Sequence, residues 1–244
     1  MTQYENRYAQ AATTARTGAA VDEGLRSYML GVYNYMSAGV ALTGVVAYAV
    51  SSYAEANPAV AQLLYHSPLK WVLMLAPLAF VLVLSFGLHK LSAAATQGVF
   101  WAFAGIMGLS LSVIFLIYTN TSIFQTFIVT SGAFAGLSLY GYTTKQNLSG
   151  WGSFLIMGVI GIIIAMVVNW FLQSSALGFA ISVIGLLVFA GLTAYDTQRI
   201  KDEYLVIRHD AEMVAKASVM GALSLYLDFV NMFQFLLSFM GNRE

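Results

Sequence analysis

The sequence predicts an all-α, polytopic membrane protein with seven transmembrane helices, its N-terminus in the cytoplasm and its C-terminus outside. Three observations lead to this prediction. The 244 residues are 59% hydrophobic and only 9% charged, with a mean hydropathy of +0.74, whereas a soluble domain carries about 25% charged residues. Seven apolar runs are long enough to cross a bilayer. The basic residues concentrate in alternate connections between these runs.

Each apolar run has roughly the 20 residues that a helix needs to cross a hydrocarbon core of ~30 Å. The runs are continuously apolar and lack the period-two alternation of barrel strands, so helices are predicted. In chain order, the predicted spans are residues 28–50, 70–89, 98–118, 122–142, 151–172, 177–199 and 215–240.

The segments around these spans complete the organisation. Residues 1–27 are polar and small and predict a flexible cytosolic tail ahead of a transmembrane domain at 28–240. The first apolar run is too long for the core of a cleavable signal. Thr119–Thr121 and Gln173–Ala176 are short enough to be turns, so the helices that they join must be antiparallel. The longer connections are 51–69 and the charged stretch 199–214.

The orientation follows from the basic residues, which favour the cytoplasmic side. With the N-terminus inside, nine of them are cytoplasmic and only Lys70 and Arg243 are outside. This asymmetry requires an odd number of spans. The nine are Arg7, Arg16, Arg26, Lys90, Lys145, Arg199, Lys201, Arg208 and Lys216.

Composition also narrows the classes of function. Eleven basic and eleven acidic residues cancel, which argues against a nucleic-acid partner. Without cysteine there is neither a disulfide nor a thiolate metal site. His66, His89 and His209 show no metal-ligand spacing. Phosphate-binding, dinucleotide-binding and nucleophile motifs are missing, so we expect neither an enzyme nor a tightly bound cofactor.

Small residues recur within the spans at spacings typical of close helix packing. Gly132 and Gly136 have GxxxG spacing in the fourth predicted span. Because this spacing lets helix backbones approach each other in lipid, it predicts a helix–helix contact.

Asp228 is the most informative residue, because it is the only charged side chain in the apolar run Ala217–Met240. A carboxylate at the bilayer centre costs about 2.5–3.5 kcal/mol on insertion scales. Together with Asp228, five other residues form a small and polar stripe along one side of a helix. They are Gly221, Ser224, Asn231, Phe235 and Ser238. The acid either hydrogen-bonds neighbouring helices or marks a proton or cation pathway.

Asp196 is the second candidate, at the cytoplasmic end of the sixth predicted span. Arg199 follows at i+3 and is a possible ion-pair partner. From the sequence, Asp228 lies much deeper than Asp196, because it is about 18 Å of helix beyond Lys216. Periodicity alone does not predict contact between the two acids.

Three segments resemble the transmembrane Bax inhibitor motif (Bax inhibitor-1) family, especially its bacterial members. They are GLTAYDTQRI at 191–200, LSLYLDFVNMFQFLL at 223–237 and GYTTKQNLSGWGSFL at 141–155. The resemblance covers the chain from about Tyr28 to Met240. It implies six helices around a central seventh, in the bacterial inner membrane. It also implies a hydrogen-bonded acid pair that senses pH and gates a calcium leak, and by motif this pair is Asp196 and Asp228.

The electrostatics of such a pair suit a gate. Two carboxylates in contact at low dielectric cannot both ionise cheaply, so they would share one proton and titrate as a unit. Loss of that proton would drive the two helices apart. In some bacterial members of that family, an arginine in the second span binds the acid pair and acts as a latch. Here the nearest basic residues are His89 and Lys90, and Ser224, Asn231 and Arg199 are further latch or pathway candidates.

The sequence therefore predicts a proton-regulated calcium leak, with calcium as the permeant ion and the proton as regulator. Because calcium usually takes six to eight oxygen ligands, Asp196 and Asp228 would bind it only transiently. The alternative is a membrane regulator that binds a membrane protease or a cell-death or stress factor. A proton-coupled transporter is a third hypothesis. Under all three hypotheses the protein lies in the lipid bilayer, which is itself a binding partner.

Overall fold

The fold is seen in a computed structural model. It describes residues 2–73, 75, 76, 80 and 91–242, and it describes side chains from Val21 onward. These residues form helices joined by short turns, and the described part of the chain contains no sheet.

The described part of the chain contains six long helices. They are α1 (Thr2–Ala56), α2 (Ala93–Leu111), α3 (Asn120–Thr143), α4 (Ser149–Leu172), α5 (Ser175–Ile207) and α6 (Ala211–Met240). Three short pieces lie between them. Pro58–Ala61 is α-helical and continues into a π-helical turn at Gln62–His66, and Ile114–Ile117 extends α2 after a break.

Six of the predicted spans coincide with these six helices, each of which is long and apolar enough to cross a membrane. The second predicted span, 70–89, lies largely outside the described residues. The count of seven spans and their orientation therefore stay predictions. The boundary that was predicted at residue 27 falls within α1, which is continuous from Thr2 to Ala56, and the division into a tail and a membrane domain stays a prediction.

Helix ends follow local chemistry. Thr119 and Ser174 accept hydrogen bonds from the backbone N–H groups of Ser122 and Leu177, so they cap α3 and α5. Gln173 ends α4 in the left-handed conformation with φ of 49°. Asp210 caps α6 by accepting from two backbone N–H groups. The short turns predicted at 119–121 and 173–176 are confirmed.

The connection predicted at 199–214 is much shorter in the structure. Helix α5 continues to Ile207, and only residues 208–210 separate it from α6. The segment KDEYLVI contains neither glycine nor proline, so its charged residues extend the helix instead of ending it. Asp196 is consequently about three turns from the end of α5 and not at its edge.

Helix α6 is the most enclosed of the six. Of its membrane-spanning stretch, 61% is buried, compared with 11% to 33% for the other five helices. It packs against α5, α1, α3 and α2, whereas α4 packs mainly on α5. Among the described helices, α6 therefore occupies the centre of the bundle.

Tyr226 of α6 contacts both α1 and α2. Its ring packs edge-on against Phe100 and Phe103 of α2, with centroids 6.2 and 5.3 Å away. Its hydroxyl shares a 2.7 Å hydrogen bond with Thr43 of α1, and the Thr43 hydroxyl donates to the Ala104 carbonyl at 2.8 Å. All of these polar atoms are buried, and each needs this partner because lipid offers none.

Glycines mark some close helix contacts, although not the one expected from GxxxG spacing. A Cβ on Gly141 would collide with the backbone of Ala194 in α5, and one on Gly185 would lie 2.5 Å from the Phe235 ring. Nothing lies within 4 Å of the corresponding positions at Gly132 and Gly136. The predicted packing at these two glycines is therefore not made within the described chain.

Candidate functional site

The polar side of α6 borders a cavity with a volume of about 910 Å³. Ser224, Asp228, Asn231 and Gln234 line it from this helix. Their spacing of four, three and three residues puts them on one side of an α-helix. The remaining walls, from α2, α4, α5 and residues 64–73, are mainly apolar.

Asp228 is almost completely buried, with 3% of the residue exposed. Its Oδ2 atom has no hydrogen-bond partner in the described part of the protein. A buried carboxyl oxygen without a partner is costly. Such an atom requires an explanation, and a proton, a water molecule or a cation in the cavity would each provide the missing interaction.

Asp196 reaches the same cavity from α5. Its Oδ1 atom lies 3.1 Å from Nη2 of Arg199, which confirms the ion pair expected at i+3. The same Nη2 donates to Oγ of Ser224 in α6 at 3.0 Å. Arg199 therefore connects the helix of the first acid to the helix of the second.

The structure brings Asp196 and Asp228 to the walls of one cavity. Among the described residues, however, no hydrogen bond joins the two carboxyl groups, and Asp196 pairs with Arg199 instead. Measured from the turn at 208–210, the acids differ in depth by under two turns of helix. The length of α5 thus reduces the depth difference that the sequence suggested, and about 9 Å of helix remains between the two acids.

The other predicted stripe residues have different surroundings. Phe235 and Asn231 line the cavity, and the Asn231 side chain also donates to the Leu227 carbonyl at 2.7 Å. Gly221 faces Ile200, and Ser238 is 3.3 Å from the hydroxyl of Ser182. These last two contribute to packing with α5. The latch candidates His89 and Lys90 lie outside the described residues.

Sequence reasoning missed several polar residues of the cavity, among them Gln234 and Lys70. Gln234 continues the polar side of α6 three residues beyond Asn231, and that spacing was a usable signal. Lys70 lines the cavity together with Trp71, and its ammonium group lies 5.3 Å from the centre of the Trp71 ring. Its position could not be predicted, because it depends on how residues 64–73 fold over the helices.

Comparison with known proteins identifies the family. A family model described as inhibitor of apoptosis-promoting Bax1 matches residues 25–244. An uncharacterized protein of Caulobacter vibrioides is 46% identical over the full length of both chains. Inner membrane protein YbhL of Escherichia coli K12 is 48% identical over 91% of this chain and 94% of its own. Uncharacterized protein RP147 of Rickettsia prowazekii is 46% identical over 97% and 98%. The chain is therefore a member of the Bax inhibitor-1 family of membrane proteins.

Proposed function

We propose that this protein mediates a slow calcium leak across the bacterial inner membrane, regulated by protonation of Asp196 and Asp228. The proposal includes seven spans, with the N-terminus inside, and a transport role without enzymatic activity. The observation that carries it is the buried Asp228 carboxyl, whose Oδ2 has no partner among the described residues, in a cavity that also reaches Asp196. In a bilayer, an unpaired acid inside a helix bundle is typical of ion and proton pathways.

The gate would work through the packing of α5 against α6. With a proton on one of the two acids, the helices stay together without unbalanced charge, because Arg199 balances the carboxylate of Asp196. Loss of this proton leaves two negative groups facing one cavity, and their repulsion favours a more open packing. The other cations at the site are Arg199, which pairs with Asp196, and Lys70, which lines the same cavity. Arg199 would compete with the proton for the carboxylates and so set the pH at which the gate opens.

Calcium would pass through as a partly hydrated ion. The described residues contain no group of three or more histidine, cysteine, aspartate or glutamate side chains arranged to hold a metal. Calcium prefers six to eight oxygen ligands, so Asp196 and Asp228 would each contribute only part of a transient shell. The side-chain oxygens of Ser224, Asn231 and Gln234 lie along the same side of α6 and would add neutral ligands.

A second function is favoured by the family description, which names an inhibitor of an apoptosis-promoting protein. On this alternative, the chain binds and restrains a membrane protease or a stress factor. Such binding would require no ion flux through the purified protein.

Calcium flux into liposomes tests the proposal. The purified protein is reconstituted with a trapped calcium dye, and uptake is recorded between acid and neutral pH. We expect uptake without any partner protein and a clear change with pH. Asp196→Asn and Asp228→Asn should each abolish the pH dependence, because the repulsion requires a negative charge on both acids and an amide carries none.

Asp202→Asn provides the matched control, since Asp202 is an exposed carboxylate on α5 outside the large cavity. This variant should keep the pH response of the unmodified protein. If the purified protein passes no calcium at any pH, the leak is refuted and the regulator is favoured. An unchanged pH response in both the Asp196 and Asp228 variants would refute the acid pair as the gate.

A further inference from the structure

A second cavity, of about 710 Å³, lies between α1 and α3 on the outer surface of the bundle. Its floor is Phe229 of α6. Helices α1 and α3 both pack on α6, and the space left between them forms an elongated groove. We refer to it as the α1–α3 groove. It is separate from the cavity of Asp228, because the two share no lining residue.

The interior of the groove is mainly apolar, and the Tyr33 and Ser138 hydroxyl groups within it are hydrogen-bonded. Met36, Val40 and Phe134 are among its lining residues. The Tyr33 hydroxyl lies 2.6 Å from that of Ser138, which lies 2.9 Å from the Thr197 hydroxyl. Thr197 in turn donates to a backbone carbonyl of α5 at 2.7 Å. With these hydroxyls engaged, the walls favour a hydrocarbon chain over a polar ligand.

One end of the groove carries positive charge. Arg26 is exposed there, and in the described part of the chain it makes neither an ion pair nor a hydrogen bond, although Asp22 and Glu23 precede it on the same helix. Tyr142 lines the same end from α3, and the Lys201 ammonium donates to its carbonyl oxygen at 2.9 Å. Arg26 therefore lies at this end without a partner among the described residues, and Lys201 contacts a residue that lines the same end.

The length of the groove matches a single membrane leaflet. From Arg26 to Ala41, helix α1 rises about 22 Å, compared with ~15 Å for half of a hydrocarbon core of ~30 Å. The difference leaves room for a head group beside Arg26. Arginine presents its donors in a fork that suits phosphate oxygens, and basic pockets between transmembrane helices are typical sites for anionic lipids.

We propose that the α1–α3 groove binds one anionic phospholipid, with an acyl chain between α1 and α3 and the phosphate beside Arg26. The bound chain would contact Phe229, the residue after Asp228 on the central helix. This site is independent of the leak, because it requires only the shape and charge of the groove.

Native mass spectrometry of the full chain tests the site. The protein is released from nanodiscs that contain either phosphatidylglycerol or phosphatidylcholine, and the retained lipids are counted. The unmodified protein should retain phosphatidylglycerol preferentially. Arg26→Gln should reduce that retention about fivefold, as expected for one basic residue near a membrane surface. Ala135→Phe should reduce retention of both lipids, because Ala135 lines the groove and the added ring would fill it.

Two matched controls separate the groove from the rest of the surface. Ala133→Phe places the same ring on α3 outside the groove, and Lys145→Gln removes a nearby exposed cation that does not line it. Both should retain lipid as the unmodified protein does. If Ala135→Phe does not fold, Ala41→Phe fills the groove from α1.

Retention of phosphatidylglycerol that is unaffected by Arg26→Gln and by either filling variant would overturn the proposal. Loss of a protein dimer in the filling variants, without loss of lipid, would also overturn it and assign the groove to a second copy of the chain.

Discussion

Helices α4 and α6 have similar lengths but opposite surroundings. Helix α4 is the most apolar of the six, and only 11% of its membrane-spanning stretch is buried. Helix α6 is less apolar and carries Asp228, yet 61% of its stretch is buried. Most of the bulky side chains of α4 are exposed, whereas α6 contributes Leu225, Tyr226 and Met232 to the fully buried core.

The difference in burial shows which helices occupy the centre and the periphery of a bundle in lipid. Water drives apolar residues inward in a soluble protein, but lipid tails are as apolar as leucine and exert no such force. The helix that carries polar groups gains most from enclosure, because its neighbours can satisfy or screen those groups. Among the described helices, the one that carries Asp228 is therefore central, and the most apolar one is peripheral.

Shortening one apolar side chain in α6 and one in α4 should give the largest difference in the free energy of unfolding. Leu225 of α6 is fully buried, and Leu225→Ala should lower the free energy of unfolding by about 2–5 kcal/mol, because a cavity is left in a packed core. Ile160 of α4 is 52% exposed. Ile160→Ala should change the free energy by less than about 0.5 kcal/mol, since lipid replaces the lost contact. Unfolding in mixed micelles measures both, and equal losses would contradict the central position of α6.

A smaller contrast is expected from two glycines of α3. Gly141→Ala should destabilise the protein by about 1–3 kcal/mol, because the methyl group meets the Ala194 backbone, which cannot move independently of α5. Gly136→Ala meets nothing and should be neutral or stabilising by up to about 1 kcal/mol. Thermal unfolding of the two variants in the same detergent measures the difference. A destabilising Gly136→Ala would indicate a helix contact at that position in the assembled membrane protein.

Long apolar segments were predicted well because a bilayer imposes a length on each helix. Six spans could be read directly, together with the short turns at 119–121 and 173–176. The Asp196–Arg199 ion pair could also be predicted from the sequence, because residues three apart on one helix lie next to each other.

Contacts between helices were less predictable. The meeting of Asp196 and Asp228 at one cavity depends on the extra turns of α5 after Arg199. Those turns contain charged residues, and a charged stretch between two apolar segments of a membrane protein is usually interpreted as a loop. The spacing of Gly132 and Gly136 permits a close contact but cannot name its partner. The position of Lys70 at the cavity could not be predicted, because it depends on the conformation of residues 64–73.

Access of water to the polar side of α6 tests the central claim most directly. The chain has no cysteine, so Asn231→Cys and Ile160→Cys each provide a single thiol, one lining the cavity and one exposed on α4. Thiols react as thiolates, which require water. A charged, membrane-impermeant thiol reagent should therefore modify the Asn231 variant about tenfold faster or more. Equal and slow modification of both positions would show that no aqueous pathway runs beside Asp228 and would contradict the account.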